Sequence, residues 1–278
     1  MKKNTRRKYL IPAVACLVVM AGFVYSYFFA SMAAGNETRY VYIDTDDTVD
    51  SVYTKLADVS SLNGMEGFKT LVRHSHYADN IRTGRYAIKP GEGAFTVFRH
   101  MKNGLQSPVS LTVPSVRTLD RLAAELSKRL MVDSAAIYEA LSDEAICKKY
   151  GYDTATVAAL FIPHTYDIYW NVSVEKLLDR MKKENHNFWS GQREEKARAM
   201  KLTPVEVTTL ASIIDEETAN DGEKPMVAGM YYNRLMLRNA EYPDGMPLQA
   251  DPTIKFAWKR FDLKRIYNNL LYIKSPYN

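Results

Sequence analysis

The chain has 278 residues, 46% of them hydrophobic and 25% charged, so it is long enough for two globular domains and too apolar to be disordered. Five basic residues at the start account for the whole net charge of +5, which leaves the rest of the chain formally neutral. That distribution argues against a nucleic-acid-binding protein, which carries its basic excess on the folded domain.

The first predicted element is a transmembrane helix. Residues 9–34 contain no charged residue, and about 20 apolar residues span the core of a bilayer. The basic residues before them favour a cytoplasmic tail at 1–8, an anchor in the inner (cytoplasmic) membrane and a periplasmic or extracytoplasmic position for the rest. A cleaved signal peptide is the alternative, with Ser31-Met32-Ala33 as the cleavage site, but its apolar region would be shorter.

The two cysteines exclude an internal disulfide in the exported part. Cys16 lies in the predicted anchor, and Cys147 is the only cysteine after it. No cluster of Cys and His has the spacing of metal ligands, so we expect no metal and no other cofactor. Cys147 is expected to be a small core residue.

A small βααβ domain is predicted over residues 36–108. Alternating apolar residues and helical spacing predict its elements: strands at 39–43 and 83–88, and helices at 46–56, 62–74 and 95–102. A unit of this order resembles a LysM domain, a common binder of amino-sugar glycans. A purely structural spacer is the alternative.

A larger, helix-rich domain with a small sheet is predicted over residues 109–278, so the fold class is α+β. Its predicted elements are a strand at 109–113 and helices at 118–130, 133–160, 174–186, 192–200 and 204–219. An apolar and aromatic segment at 161–166 separates the second of these helices from the third.

The last of these helices has a strong start signal and an acidic end. Thr203 can cap it, Pro204 suits its first position and Glu206 completes a capping box. Its apolar face carries Val207, Leu210, Ile213 and Ile214. Helical spacing places Glu217 in the middle of that face, whereas Asp215 and Glu216 point to its flanks.

Glu217 is therefore expected to be buried against apolar side chains. Such burial favours the neutral, protonated form of a carboxyl group, which is the form that a general acid needs. The alternative is a helix-end glutamate paired with a nearby cation, with Arg234 and Lys224 as candidates.

Several motifs in order resemble the membrane-bound endolytic murein transglycosylases, the MltG/YceG-like family. The resemblance rests on segments spread from the small domain to the last residue. They are Gly84-Arg85-Tyr86, Phe161-Ile162-Pro163-His164-Thr165-Tyr166, Leu210-Ala211-Ser212-Ile213-Ile214-Asp215-Glu216-Glu217-Thr218, Asn233-Arg234-Leu235, Leu248-Gln249-Ala250-Asp251-Pro252-Thr253 and Ser275-Pro276-Tyr277-Asn278.

The resemblance implies a lyase that cleaves nascent peptidoglycan strands internally between MurNAc and GlcNAc, without water, and leaves 1,6-anhydroMurNAc ends. Such cleavage would limit the length of glycan strands. The family's catalytic glutamate falls on Glu217. Asp215 stands where the family usually has Glu, and His164 stands where it has Asp, which puts any role of His164 in doubt.

The resemblance also implies a substrate-binding set around Glu217. Gln249, Asp251 and Tyr166 are expected to orient the sugar, although loop hydrogen bonding and core packing are alternatives. Arg234 is expected to bind substrate or to pair with a carboxylate. Thr253 and Asn233 complete the predicted set.

The family continues past the Ser-Pro-Tyr-Asn motif with a Gly-Leu-Pro-Pro-Gly loop that helps to close the cleft. The resemblance therefore implies that the domain at 109–278 is truncated at its C-terminal end. Expected partners are glycan strands and the inner membrane, with peptidoglycan synthases or division proteins as further candidates.

Two other functions remain open. A lysozyme-type hydrolase would use Glu217 as the acid and Asp251, Asp244 or Asp215 to activate water. An inactive, membrane-anchored scaffold would bind glycan or division proteins through the small domain.

Overall fold

The computed structural model describes residues 3–275, with side chains from residue 10 onward. The side chains of the N-terminal basic cluster and the last three residues of the Ser275-Pro276-Tyr277-Asn278 motif thus lie outside the described part. The chain divides into two units. The first unit consists of residues up to Thr112 with Leu126–Asp133 and Thr165–Ser173, and the second of Val113–Glu125, Ser134–His164 and the residues from Val174.

Helix α1, Lys3–Phe28, carries the predicted membrane segment. Its part Leu10–Phe28 has a mean hydropathy of 2.0, and none of it is buried inside the protein. A helix rises by about 1.5 Å per residue, so this length is close to the roughly 30 Å of a bilayer core. The helix is compatible with a single-pass membrane anchor.

The predicted βααβ order is confirmed in the first unit, with end positions shifted by a few residues at most. The elements are β1 Arg39–Ile43, α2 Val49–Ala57, α3 Leu62–Arg73, β2 Gly84–Ile88 and α4 Ala94–Asn103. Strands β1 and β2 pair antiparallel, with Val41 opposite Tyr86. Phe68 of α3 is fully buried, and its ring packs edge-on against Tyr53, Tyr77 and Phe98.

The residues just after α1 are part of this core. The side chain of Met32 is 0% exposed, and its backbone N–H donates to the Glu92 carbonyl at 2.8 Å. Ala34 likewise donates to the Val59 carbonyl at 2.9 Å. Gly67 of α3 passes so close to α1 that an added Cβ would lie 1.9 Å from the carbonyl oxygen of Tyr27. The folded unit therefore begins several residues before 36.

A second sheet pairs β3 Val109–Thr112 antiparallel with β4 Thr165–Ile168, with Leu111 opposite Tyr166. Strand β3 was expected, but the strand at 165–168 was not. This strand has only four residues, and it forms because it pairs with a strand more than 50 positions away in sequence. Both strands belong to the first unit, and the predicted domain boundary at 108/109 stays a prediction.

Helices dominate the rest of the chain, as expected for an α+β protein. They are α5 Leu119–Ser127, α6 Ser134–Ser142, α7 Glu144–Tyr150, α8 Val174–Trp189, α9 Gln192–Ala199, α10 Pro204–Glu217, α11 Lys224–Met236 and α12 Asp251–Ala257. Short 3-10 turns lie at Val157–Leu160 and Asn268–Leu270. The single helix expected over 133–160 is wrong, because Asp143 caps a new helix and Gly151 ends it in the left-handed conformation.

Candidate active site

Helix α10 starts as its sequence predicts. The Thr203 hydroxyl accepts the backbone N–H of Glu206 at 3.2 Å, and the Glu206 carboxylate accepts the backbone N–H of Thr203 at 2.7 Å. The helix ends at Glu217, two residues earlier than expected, because Thr218 is already extended. This end places Glu217 in the last helical turn.

Three helices converge next to this end. An apolar cluster joins α10, α11 and the residue before α12 through Leu210, Ile214, Tyr231 and Ala250. Leu210 and Ile214 are four residues apart and so share one face of α10. Glu217 follows Ile214 by three residues and therefore lies at the edge of that packed face.

The predicted burial of Glu217 is wrong, because the residue is exposed. The apolar cluster ends at Ile214, and the final turn of α10 extends past it into solvent. Sequence periodicity identified the correct face of the helix but not the point at which its packing stops.

The three consecutive acids at the end of α10 have different partners. Asp215 accepts hydrogen bonds from the Lys224 ammonium at 2.8 Å and from the Ser115 hydroxyl at 3.1 Å. The Lys224 hydrogen bond is the main cause that lowers the pKa of Asp215. Both carboxylate oxygens of Glu216 lie 2.8 Å from the Arg117 Nε.

Glu217 differs from both of its neighbours. Within residues 10–275, no Lys, Arg or His nitrogen lies within 4.0 Å of its carboxylate. Lys224 pairs with Asp215 and Asp221 instead. The alternative of a helix-end glutamate neutralised by Lys224 or Arg234 is therefore not observed.

Tyr231 of α11 is the closest partner of Glu217, and the sequence analysis missed it. Its side chain is 2% exposed, and its hydroxyl lies close enough to the Glu217 carboxylate for the charge of that group to act on it. Burial first, and then the charge of the nearby Glu217, raise the pKa of Tyr231 to about 12. The Tyr231 hydroxyl therefore keeps its proton at neutral pH. The spacing of Val227, Tyr231 and Arg234 along one helix face could have shown that Tyr231 packs inward, but not that it meets Glu217.

Arg234 supports the segment that leads into α12. Its guanidinium donates a hydrogen bond to the Leu248 carbonyl and lies 5.9 Å from the centre of the Tyr231 ring. The next residue, Gln249, has a φ of +53°, a left-handed conformation that costs energy for a residue other than Gly. Strained residues of this kind cluster at functional sites. The hydrogen bond from Arg234 to Leu248 helps to hold Gln249 in its strained conformation.

The other predicted binding residues occupy different positions. Asp251 is exposed at the first position of α12, and its charge acts on Tyr231. The Thr253 hydroxyl donates to the Ala250 carbonyl at 2.8 Å, and Asn233 is exposed on α11. Tyr166 is buried on β4 in the first unit. Their roles toward a substrate stay predictions.

The contact between Tyr231 and Glu217 leads to a testable prediction. We expect Tyr231→Phe to lower kcat by at least about tenfold, with KM unchanged, because a hydrogen bond from this hydroxyl to the charged Glu217 would contribute about 1.5–3 kcal/mol. Steady-state rates on uncrosslinked glycan strands measure this. The control is Tyr232→Phe, since the Tyr232 hydroxyl donates to the Met200 carbonyl at 3.1 Å instead. Equal rates for the two variants would contradict a positioning role for Tyr231.

Comparisons with known proteins identify the family of this chain. The model of the YceG-like family matches residues 41–278. The endolytic murein transglycosylase of Bacillus subtilis strain 168 is 23% identical over 252 residues, which cover 85% of this chain and 67% of that protein. The enzyme of the same name from Streptococcus pneumoniae strain D39 is 25% identical over 221 residues. That match covers 68% of this chain and 38% of the streptococcal protein.

A solved structure shares the fold. The 2.6 Å crystal structure of a yceG-like protein from Listeria monocytogenes superposes with a TM-score of 0.50 and 22% identity. The match covers 88% of this chain and 83% of that one. Since the family model matches most of the sequence, from β1 to the last residue, this chain belongs to the YceG-like family.

Proposed function

We propose that this chain is an endolytic lytic transglycosylase that cleaves peptidoglycan glycan strands internally, between MurNAc and GlcNAc. The observation that carries the proposal is Glu217, the one acid at the end of α10 without a cationic partner among the described residues. The names of the relatives from Bacillus and Streptococcus support the same reaction. Cleavage of nascent strands would limit their length.

One carboxyl group is enough for this chemistry. The protonated Glu217 donates its proton to the glycosidic oxygen while positive charge develops on the anomeric carbon of MurNAc. The resulting carboxylate then takes the proton of the C6 hydroxyl of the same sugar, whose oxygen bonds to the anomeric carbon. Glu217 is protonated again, and the product carries a 1,6-anhydro ring. An intramolecular nucleophile has a high effective concentration, so no water is needed.

Neighbouring residues would position these groups. Tyr231 would hold the Glu217 carboxyl group through its hydroxyl, which lies close to it. Gln249 and Asp251 follow the Leu248 carbonyl that Arg234 holds, and they would hydrogen-bond the hydroxyl or N-acetyl groups of the sugar. The exposure of Glu217 leaves it accessible to a strand that lies along the edge of α10.

A lysozyme-type hydrolase is the second candidate, because exposed carboxylates lie near Glu217. Asp215 is held by Lys224 and Ser115, which leaves Asp251 as the better placed acid for activating water. To separate the two reactions, uncrosslinked glycan strands are digested and the products are sorted by length and by end group. We expect internal fragments with anhydro ends. Reducing ends throughout would identify a hydrolase, and undigested strands would favour a scaffold.

The first unit would act at the outer face of the cytoplasmic membrane. The apolar α1 fits a single-pass anchor, and Met32 belongs to the core of the folded unit. Signal-peptide cleavage after Ala33 would remove Met32 from that core, so an anchor that stays attached fits better. The βααβ order also supports a LysM-like role in binding glycan, which would hold the enzyme on its substrate.

A further inference from the structure

The first unit contains a polar cavity that is separate from the residues around Glu217. Its volume is about 510 Å³, and its lining includes Tyr42, Arg85, Ser110, Lys128, Arg129 and Trp170. All of these residues belong to the first unit, whereas α10 and α11 belong to the second. The mechanism proposed for Glu217 therefore does not use this cavity.

Aromatic rings form one side of the cavity. Tyr42 and Trp170 meet edge to face, with ring centres 5.0 Å apart at an angle of 72°. Strand β1 turns Val41 and Ile43 into the core, so alternation leaves Tyr40 and Tyr42 exposed on its other face. Exposed rings of this kind offer flat apolar surfaces to the C–H face of a sugar or to a peptide.

Three cationic side chains, Arg85, Lys128 and Arg129, line the same cavity. The Arg85 guanidinium lies 3.4 Å from the centre of the Tyr40 ring and donates one N–H to the Pro108 carbonyl. One acid is close by, since Ser110 donates to the Asp167 carboxylate at 3.2 Å. Arg85 and Arg129 outnumber that acid, so the cavity suits an anion.

Arg85 also has an unsatisfied donor. Its Nε is buried and has no hydrogen-bond partner in the described structure. A buried N–H without a partner costs about 1–3 kcal/mol, and a carboxylate that draws the Arg85 side chain toward the cavity would remove that cost. The aromatic, cationic and unsatisfied groups thus lie in one place and are complementary to an acidic ligand with a flat apolar face.

We propose that this cavity binds a carboxylate of the stem peptide of peptidoglycan, with the adjoining sugar or peptide packed on Tyr42 and Trp170. The proposal rests on the proposed function only because it takes peptidoglycan as the polymer. The first unit would then bind preferentially the strands that still carry their peptides. A phosphate group could bind the same cationic side chains, and the competition experiment below distinguishes it from a carboxylate.

The test measures binding, with cleavage blocked. Full-length protein carrying Glu217→Gln is titrated with glycan strands that bear stem peptides and with the same strands stripped by an amidase. We expect about tenfold weaker binding of the stripped strands, the size of a charge-assisted contact of about 1.4 kcal/mol. Adding Arg129→Gln should weaken binding of intact strands by a similar factor and leave the stripped strands unaffected.

Matched variants keep the result interpretable. Arg99→Gln removes the same charge from an exposed position of α4 outside the cavity and should change nothing. Arg85→Lys keeps the charge but loses Nε, and it should bind intact strands less well than its parent. Equal binding of intact and stripped strands would overturn the proposal, and so would competition by pyrophosphate at lower concentration than by acetate. Failure of the proposed function would appear differently, as wild-type protein that binds strands without cleaving them.

Discussion

Replacing Glu217 with Gln is expected to lower the rate of glycan cleavage by about a thousandfold, the usual contribution of a general acid–base group. The amide has the size of the acid but cannot donate a proton to the glycosidic oxygen. Because Glu217 is exposed and lies outside the apolar cluster, the substitution should leave the unfolding free energy within about 0.5 kcal/mol of wild type. Initial rates and thermal unfolding of the same preparations measure both quantities.

The adjacent acid provides the control. Glu216→Gln removes an equal charge one residue away and loses only the exposed contact with Arg117. Exposed ion pairs contribute about 0–1 kcal/mol, so its rate should fall by no more than about fivefold. If Glu217→Gln kept its activity and Glu216→Gln lost it, the assignment of the catalytic role to Glu217 would be contradicted.

Gly67→Ala is expected to be strongly destabilising for a reason that has nothing to do with catalysis. The added Cβ would lie 1.9 Å from the Tyr27 carbonyl oxygen, which is backbone and cannot rotate away. Overpacking of this kind typically costs about 1–3 kcal/mol, and the short distance points to the upper end. The measurement is thermal unfolding of the full-length protein in detergent micelles or nanodiscs.

Gly35→Ala serves as the matched control, because nothing lies within 4 Å of a Cβ at that position. It should unfold within about 0.5 kcal/mol of wild type. The intact mass of the same preparations should correspond to a chain that keeps Met32. Equal stability of the two variants, or a mature chain that begins at Ala34, would contradict an anchor built into the folded unit.

The sequence predicted the parts of the fold that local signals control. Thr203, Pro204 and Glu206 specify the start of α10 by capping alone, and the structure has that start unchanged. The βααβ order of the first unit also followed from periodicity, because β1 alternates between core and solvent and α3 carries its apolar residues on one face. Neither inference needs knowledge of distant contacts.

Long-range packing decided the rest. Strand β4 forms because Tyr166 and its neighbours pair with β3. Four residues are too few for an alternating pattern to predict a strand. Glu217 was expected inside an apolar cluster that in fact stops at Ile214. Tyr231 was missed because its meeting with Glu217 depends on how α10 packs against α11, which no spacing within either helix specifies.

Cleavage in water labelled with heavy oxygen tests the central claim most directly. Uncrosslinked glycan strands are digested by the membrane-embedded protein in labelled water, and the new ends are analysed by mass spectrometry. We expect anhydro ends without the label, because the attacking oxygen comes from the sugar's own C6 hydroxyl, and we expect none of these ends with Glu217→Gln. Labelled reducing ends would show that water attacks, and unlabelled anhydro ends formed equally by Glu217→Gln would remove Glu217 from the reaction.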